Sequence, residues 1–146
     1  EPLPELRGLA TDLAFWTYRG LICARGAMTT LKLRILFDAA MLGPGKAELL
    51  ERIAATGSIA AAGRQMEMSY KRAWMLVEEM NRAFRVPLVA SLRGGPGGGG
   101  AQLTEAGVEV LRLYHRVVEQ ALAAAAPEIA ALEAMLRPAG DIPGGK

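Results

Sequence analysis

Hydrophobic and polar positions divide the chain into stretches of different period. From Thr30, the residues Leu31, Leu33, Ile35 and Phe37 alternate with Lys32, Arg34 and Asp38, the two-residue repeat of a half-buried strand. "GPG" at 43–45 breaks that repeat. From Lys46 the apolar positions fall at Leu49, Leu50, Ile53 and Ala54, a helical spacing that Thr56-Gly57 closes. Ser58 is then a good N-cap for a short second helix, "SIAAAGRQM", whose small residues permit close helix packing. "EMS" reads as a turn, and Ser69 caps a third helix from Tyr70 to about Phe84. Ala73, Leu76, Val77, Met80 and Phe84 repeat along that helix and are expected in the core.

After "RVP", Leu88, Ala90 and Leu92 alternate with Val89, Ser91 and Arg93; past a glycine run, Ala101 and Leu103 alternate with Gln102. Two short strands joined by "GGPGGGG" predict a hairpin. Thr104 caps a last long helix that Pro127 is expected to end or kink, with "PEIAALEAML" as its second piece. The expected organisation is an extension over 1–27, a folded unit over 28–104, a helix over 105–137 and a loose tail over 138–146. Residues 1–27 carry aromatics and a thiol but no sustained helical stripe, so Met28 reads as the natural start; a genuine N-terminal helix is the alternative.

Composition narrows the class. The chain has 146 residues, 51% hydrophobic and 22% charged, which suits one soluble globular domain. A net charge of +2 identifies no partner, but its distribution does more. Between Arg64 and Arg93, six basic residues (Arg64, Lys71, Arg72, Arg82, Arg85, Arg93) face three acids (Glu67, Glu78, Glu79); from Glu119 onward, four acids face two bases. A single cysteine, Cys23, and a single histidine, His115, exclude an internal disulfide and a one-chain zinc site. Asp12, Arg19 and Arg25 interrupt the most apolar early segment, which also lacks the basic start of a signal peptide, so no membrane is expected and the cytoplasm is the expected location.

Catalysis finds no support in the motifs. The glycine run is followed by a strand, not by the helix a dinucleotide fingerprint needs, and "GPGK" at 43–46 lacks the rest of a phosphate-binding P-loop. No nucleophile–base arrangement can be assembled around His115. Helix, short helix, tight turn, longer helix and hairpin are instead the signature of a mainly α winged helix-turn-helix. Opposite the core stripe, the third helix carries Lys71, Met75, Glu78 and Arg82, with Arg72 and Glu79 flanking and Tyr70 and Trp74 on one shoulder. The N-terminal half of such a helix enters the major groove, and here it reads "SYKRAWM". The candidate DNA-binding residues are Ser58, Arg64, Ser69, Tyr70, Lys71, Arg72, Met75, Arg93, Gly94, Gly95, Gly97, Gly98, Gly99 and Gly100.

"LLERIAATGSIAAAGRQMEMSYKRAWMLVEEMNRAF" followed by "LRGGPGGGGAQLTEAGVEVL" resembles the DNA-binding domain of the ModE-type molybdate-dependent transcriptional regulators. It is similar, more distantly, to that of LysR-type regulators. "MSYKRAW", "EEMN" and the glycine-rich wing followed by "LT" and Gly107 carry the resemblance, which covers about Leu31 to Leu122. It implies a homodimer that binds palindromic double-stranded operators and controls genes of molybdenum uptake or molybdoenzymes. It also implies DNA contacts at Ser69, Tyr70, Lys71 and Arg72 and on the wing at 93–100. Two departures bear on this. Pro96 stands where the family usually has a wing lysine, and the chain carries no oxyanion-binding module after the long helix, so no cofactor and no molybdate at the usual site are expected.

The last helix points to pairing on its own account. Val108, Leu111, His115, Val118, Leu122, Ala125, Ile129, Leu132 and Leu136 follow alternating three- and four-residue steps, the spacing of a coiled-coil seam. A dimer built on it would set two recognition helices one DNA turn, about 34 Å, or a multiple apart. The alternative is a helix that packs only on its own domain. For function, the alternative is a winged helix used for protein interaction or as a low-specificity architectural DNA-binding protein.

Overall fold

The structure, a computed structural model, describes residues 21–24, 27–92 and 100–137. Strands β1 (Leu21–Ala24) and β2 (Ala27–Thr30) form an antiparallel hairpin with Leu21 opposite Thr30, which crosses the expected boundary between 27 and 28. The single strand expected from Thr30 is not formed. Residues 31–34 are unpaired, and β3 (Ile35–Leu36) pairs antiparallel with β4 (Met41–Leu42). The alternation survives as burial: Leu31, Leu33 and Ile35 are half-buried while Lys32 and Arg34 are exposed. Phe37, expected on the inner face, is exposed, because its N–H bonds to the Ala40 carbonyl at 2.8 Å in the tight turn that returns the chain.

Helix α1 (Pro44–Thr56) starts two residues before Lys46, with Gly43 as N-cap and Pro44 in the first turn, where its missing N–H costs nothing. Leu49, Leu50 and Ile53 are fully buried, and Gly57 ends the helix at φ 70°, its N–H bonding to the Ile53 carbonyl. Helix α2 (Ile59–Gln65) is capped by Ser58, which accepts the Ala61 N–H, and helix α3 (Tyr70–Ala83) by Ser69, which accepts the Arg72 N–H. Gly63 permits their close approach: a Cβ there would lie 3.1 Å from the Ala73 Cβ. The turn between them passes through Glu67 at φ 57°. Ala73, Val77 and Met80 are buried and Leu76 and Phe84 pack against the core, as the helical repeat requires.

Strands β5 (Val89–Leu92) and β6 (Gly100–Leu103) pair antiparallel, Val89 opposite Leu103 and Leu92 opposite Gly100. In β6 the alternation holds, with Ala101 and Leu103 buried and Gln102 exposed. In the first strand it does not. Leu88 and Val89 are both buried and Leu92 is exposed. Asn81 explains the difference: its side chain accepts the Leu88 and Val89 N–H groups at 2.8 and 3.1 Å and donates to the Val89 carbonyl at 3.2 Å. This clamp draws both residues under α3, whereas Leu92 stands at the far end of the strand, beyond the core.

Helix α4 (Glu105–Met135) begins at Thr104, whose oxygen accepts the Gly107 N–H at 3.1 Å while its hydroxyl donates to the Pro87 carbonyl at 2.6 Å. The helix neither ends nor restarts at Pro127 but runs through it. Ala123 and Pro127 are both exposed, so the carbonyl deprived of its partner is left to water. Leu111 and Tyr114 from α4 close one core with Leu42, Leu49, Leu50, Ile53, Met80, Leu88 and Leu103. The Tyr114 hydroxyl donates to the Leu33 carbonyl at 2.6 Å and ties the unpaired segment to α4. Burial, reinforced by the nearby Glu51 carboxylate, pushes the Tyr114 phenol above its usual value. The result is a mainly helical winged helix.

Candidate nucleic-acid interface

Helix α3 presents the face opposite its core stripe to solvent. Tyr70 (59%) and Met75 (49%) are exposed beside Lys71 and Arg72, with Ser69 at the helix start and Arg64 exposed in the last turn of α2. No ion pair between described residues engages Arg64, Lys71 or Arg72. The acids of the helix lie elsewhere. Glu79 pairs with Lys46 of α1 at 3.3 Å, and that lysine also donates to the Met41 carbonyl at 3.0 Å, while Glu78 is half-buried. Basic side chains therefore lead at the first two turns of α3, and the neighbouring acid is neutralised further along.

Ser69, Tyr70, Lys71, Arg72, Met75 and Arg64 thus share one exposed surface. Ser58 sits at its edge, half-buried, with its oxygen engaged by the Ala61 N–H at 3.1 Å. Arg93, Gly94, Gly95, Gly97, Gly98 and Gly99 lie outside the described residues. Gly100 is placed differently from a wing-tip contact. It is half-buried against the turn between α1 and α2, where a Cβ would lie 2.7 Å from the Gly57 carbonyl oxygen, and that oxygen accepts the Ala101 N–H at 2.9 Å. Its lack of a side chain serves this close approach.

The first half of the expected dimer seam is turned inward. Leu111 is part of the chain's own core, Val108 and Val118 pack against that core, and Leu122 is buried. His115 meets Glu51 of α1, Nε2 to Oε1, at 2.5 Å. In the first half of α4 the three-and-four spacing thus serves the chain's own core, through Val108, Leu111 and Val118. The far end of the expected seam is exposed, at Leu132 and, just past the helix, Leu136, and α4 also exposes Leu113, Val117 and Met135.

Sequence reasoning left one feature of this surface unread. Tyr70 and Trp74, one turn apart, line an open cleft of about 570 Å³ with Ser58, Ile59 and Ala60 of the α2 start and Ser91, Leu92, Gly100 and Ala101 of the hairpin. An exposed aromatic pair at i and i+4 on a recognition helix was the available signal. Among the described residues, no three His, Cys, Asp or Glu side chains gather to hold a metal ion, and no helix is long and apolar enough to cross a membrane.

Comparison with known proteins agrees with this geometry. Residues 45–108, which span α1 to the first turn of α4, match the family described as "Bacterial regulatory helix-turn-helix protein, lysR family". The chain is 40% identical over 92 residues to the molybdenum-pterin-binding protein MopB of Rhodobacter capsulatus, 63% of this chain and 32% of that protein. It is 46% identical over 69 residues to MopA of the same organism, 47% of this chain and 26% of that protein. It is 40% identical over 87 residues to the DNA-binding transcriptional dual regulator ModE of Escherichia coli K12, 60% of this chain and 32% of that protein. The chain spans about a quarter to a third of the length of these relatives.

Proposed function

We propose that the chain, whose residues 45–108 match a LysR-type helix-turn-helix family, is a sequence-specific transcriptional regulator of molybdenum-related genes, acting as a homodimer on palindromic duplex operators. The observation that carries this reading is the surface at the start of α3. Lys71 and Arg72 are exposed there beside Tyr70 and Met75, on a helix whose other face is locked into the core. Cationic side chains offer hydrogen bonds to guanine edges, and Met75 offers contact to thymine methyl groups. The molybdenum assignment rests on the names of the relatives, and pairing rests on the exposed apolar side chains of α4, Leu113 and Val117 among them.

The test is a titration of the protein against its own upstream promoter and a random duplex at fixed salt. The expected ratio of affinities is at least about 10³. A ratio near one removes the specific-regulator reading and leaves the low-specificity architectural one. Lys71→Ala or Arg72→Ala should cost about 1–3 kcal/mol on the promoter if the residue makes a bidentate base contact. Both variants binding as wild type would show that α3 does not read DNA.

A further inference from the structure

The cleft between α3 and the hairpin has a chemistry unlike the rest of the basic surface. Its nine described lining residues, Ile59, Tyr70, Trp74 and Leu92 among them, include no charged side chain. Tyr70, Trp74 (46%) and Leu92 (43%) are all substantially exposed, so a row of large apolar groups faces water on the very side the basic residues flank. Two hydroxyls stand at the same cleft, Ser58 and Ser91. The Ser58 oxygen already accepts the Ala61 N–H, which leaves its O–H free to donate.

Position supplies the occupant. A helix in the major groove and a hairpin beside it straddle the sugar–phosphate strand that separates the two grooves, so whatever lies between α3 and β5–β6 faces that strand. Deoxyribose is the apolar part of the backbone and packs on aromatic and aliphatic side chains, while phosphate oxygens accept from hydroxyls. We propose that this cleft, uncharged among its described lining residues, seats one strand of the duplex, with Tyr70, Trp74 and Leu92 against the deoxyribose rings and the Ser58 and Ser91 hydroxyls on the flanking phosphates. The inference rests on the DNA-binding reading above and adds to it a contact that does not depend on charge. Ion contacts release counterions and weaken with salt; this contact releases none.

The consequence is a distinctive signature. Trp74→Ala should raise the dissociation constant roughly tenfold on the promoter and on a random duplex alike, with the slope of log affinity against log salt unchanged. Leu92→Ala should act in the same direction to a smaller extent, and Trp74→Phe should recover most of the loss. Lys71→Ala is the contrast, because removal of a cation from the DNA-facing surface makes the slope shallower. Melting temperatures of the variants identify any that have lost their fold, and Leu92, exposed at a strand end, keeps the test open if Trp74→Ala unfolds.

Trp16 is the other tryptophan, so in a Trp16→Phe background Trp74 alone reports by fluorescence. Its quenching by acrylamide should fall when duplex is added. Several results would overturn the proposal: Trp74→Ala and Leu92→Ala binding as wild type, a loss confined to the promoter, or a changed salt slope. So would a loss that thymine-to-uracil replacement reproduces in the wild type and not in Trp74→Ala, since that marks a base methyl as the partner. If the wild type binds neither duplex, the DNA-binding reading itself fails; if it binds and only these variants are silent, the cleft inference alone does.

Discussion

Gly107→Ala sets two well-known effects against each other, and the structure decides between them. Gly107 lies in the first turn of α4, where alanine is a better helix former than glycine by about 0.8–1 kcal/mol, so propensity alone predicts a more stable protein. A Cβ at this position would meet the Leu88 carbonyl oxygen at 2.2 Å, well inside the 3.0 Å that real Cβ contacts respect. That carbonyl is not free to retreat. It accepts the Thr104 N–H at 2.9 Å, Leu88 is fully buried, and the Leu88 N–H is held by Asn81 at 2.8 Å. Relief requires the start of α4 to move off the hairpin by most of an ångström, which strains the Thr104 bond and the packing beneath it. Overpacking of this kind costs about 1–3 kcal/mol and a weakened buried hydrogen bond about 1 kcal/mol. The net expectation is a loss of about 2 kcal/mol, or a fall in Tm of roughly 6–10 °C. Thermal and urea melts followed by circular dichroism measure it. Gly45→Ala is the matched control: it too is helical, but nothing lies within 4 Å of its would-be Cβ, so it should gain about 0.5 kcal/mol. If Gly107→Ala is as stable as wild type, the approach of α4 to Leu88 is not as close as described and the reasoning fails.

Other expectations follow from neighbouring contacts. Asn81→Ala removes three bonds to the Leu88 and Val89 backbone and leaves buried polar groups unsatisfied, a loss of about 2–4 kcal/mol in urea melts; a change under 1 kcal/mol would mean that the clamp is dispensable. The Tyr114 phenol is raised above its ordinary 10.0 in the folded state, so the folded protein keeps a proton that the unfolded chain releases. Its contribution is therefore constant below pH 10.0 and is lost as pH climbs toward the folded value. Melts between about pH 8 and about pH 11 should show a steeper alkaline fall for wild type than for Tyr114→Phe, and equal slopes would contradict it. Gly100→Ala forces a Cβ against the Gly57 carbonyl and should lower Tm without touching Lys71 or Arg72; unchanged Tm would place the hairpin further from that turn.

The helices and the β5–β6 hairpin were legible, and the strand expected from Thr30 was not. Helices α1, α2 and α3 lie within two residues of their expected bounds, because caps at Ser58 and Ser69, a stop at Gly57 and the Ala73–Val77–Met80 stripe are local signals that tertiary packing reinforced. The stretch from Thr30 to Phe37 shows the opposite. Its alternation reports burial correctly from Leu31 to Ile35 but not at Phe37, and alternation does not reveal whether a neighbouring strand exists; among the described residues none pairs with 31–34. Leu92 follows the same logic, since four residues are too few to separate a core position from a strand end. Pro127 is expected to end or kink the helix because a bond is lost there, yet the helix spans it, at a position where Ala123 and Pro127 are exposed and water can take the freed carbonyl. On α4, spacing marked an apolar seam without saying which partner fills it. Val108, Leu111 and Val118 answer to their own domain, and a helix wheel drawn from one chain holds no information on that choice. The cleft residues escaped because Trp74 and Leu92 lie 18 positions apart and meet only through the fold.

The contact between Gly100 and Gly57 has a further consequence for anyone who would re-engineer this surface. The first residue of β6 rests on the carbonyl that also receives the Ala101 N–H, so the hairpin is mounted on the turn between α1 and α2, not hung from α3 alone. A hairpin transplanted from another protein would seat on this mount only if its second strand opens on glycine, whatever its length. A bulkier residue at that one position would tilt the whole graft, and with it the cleft wall formed by Ser91 and Leu92, even if every DNA-facing side chain were copied.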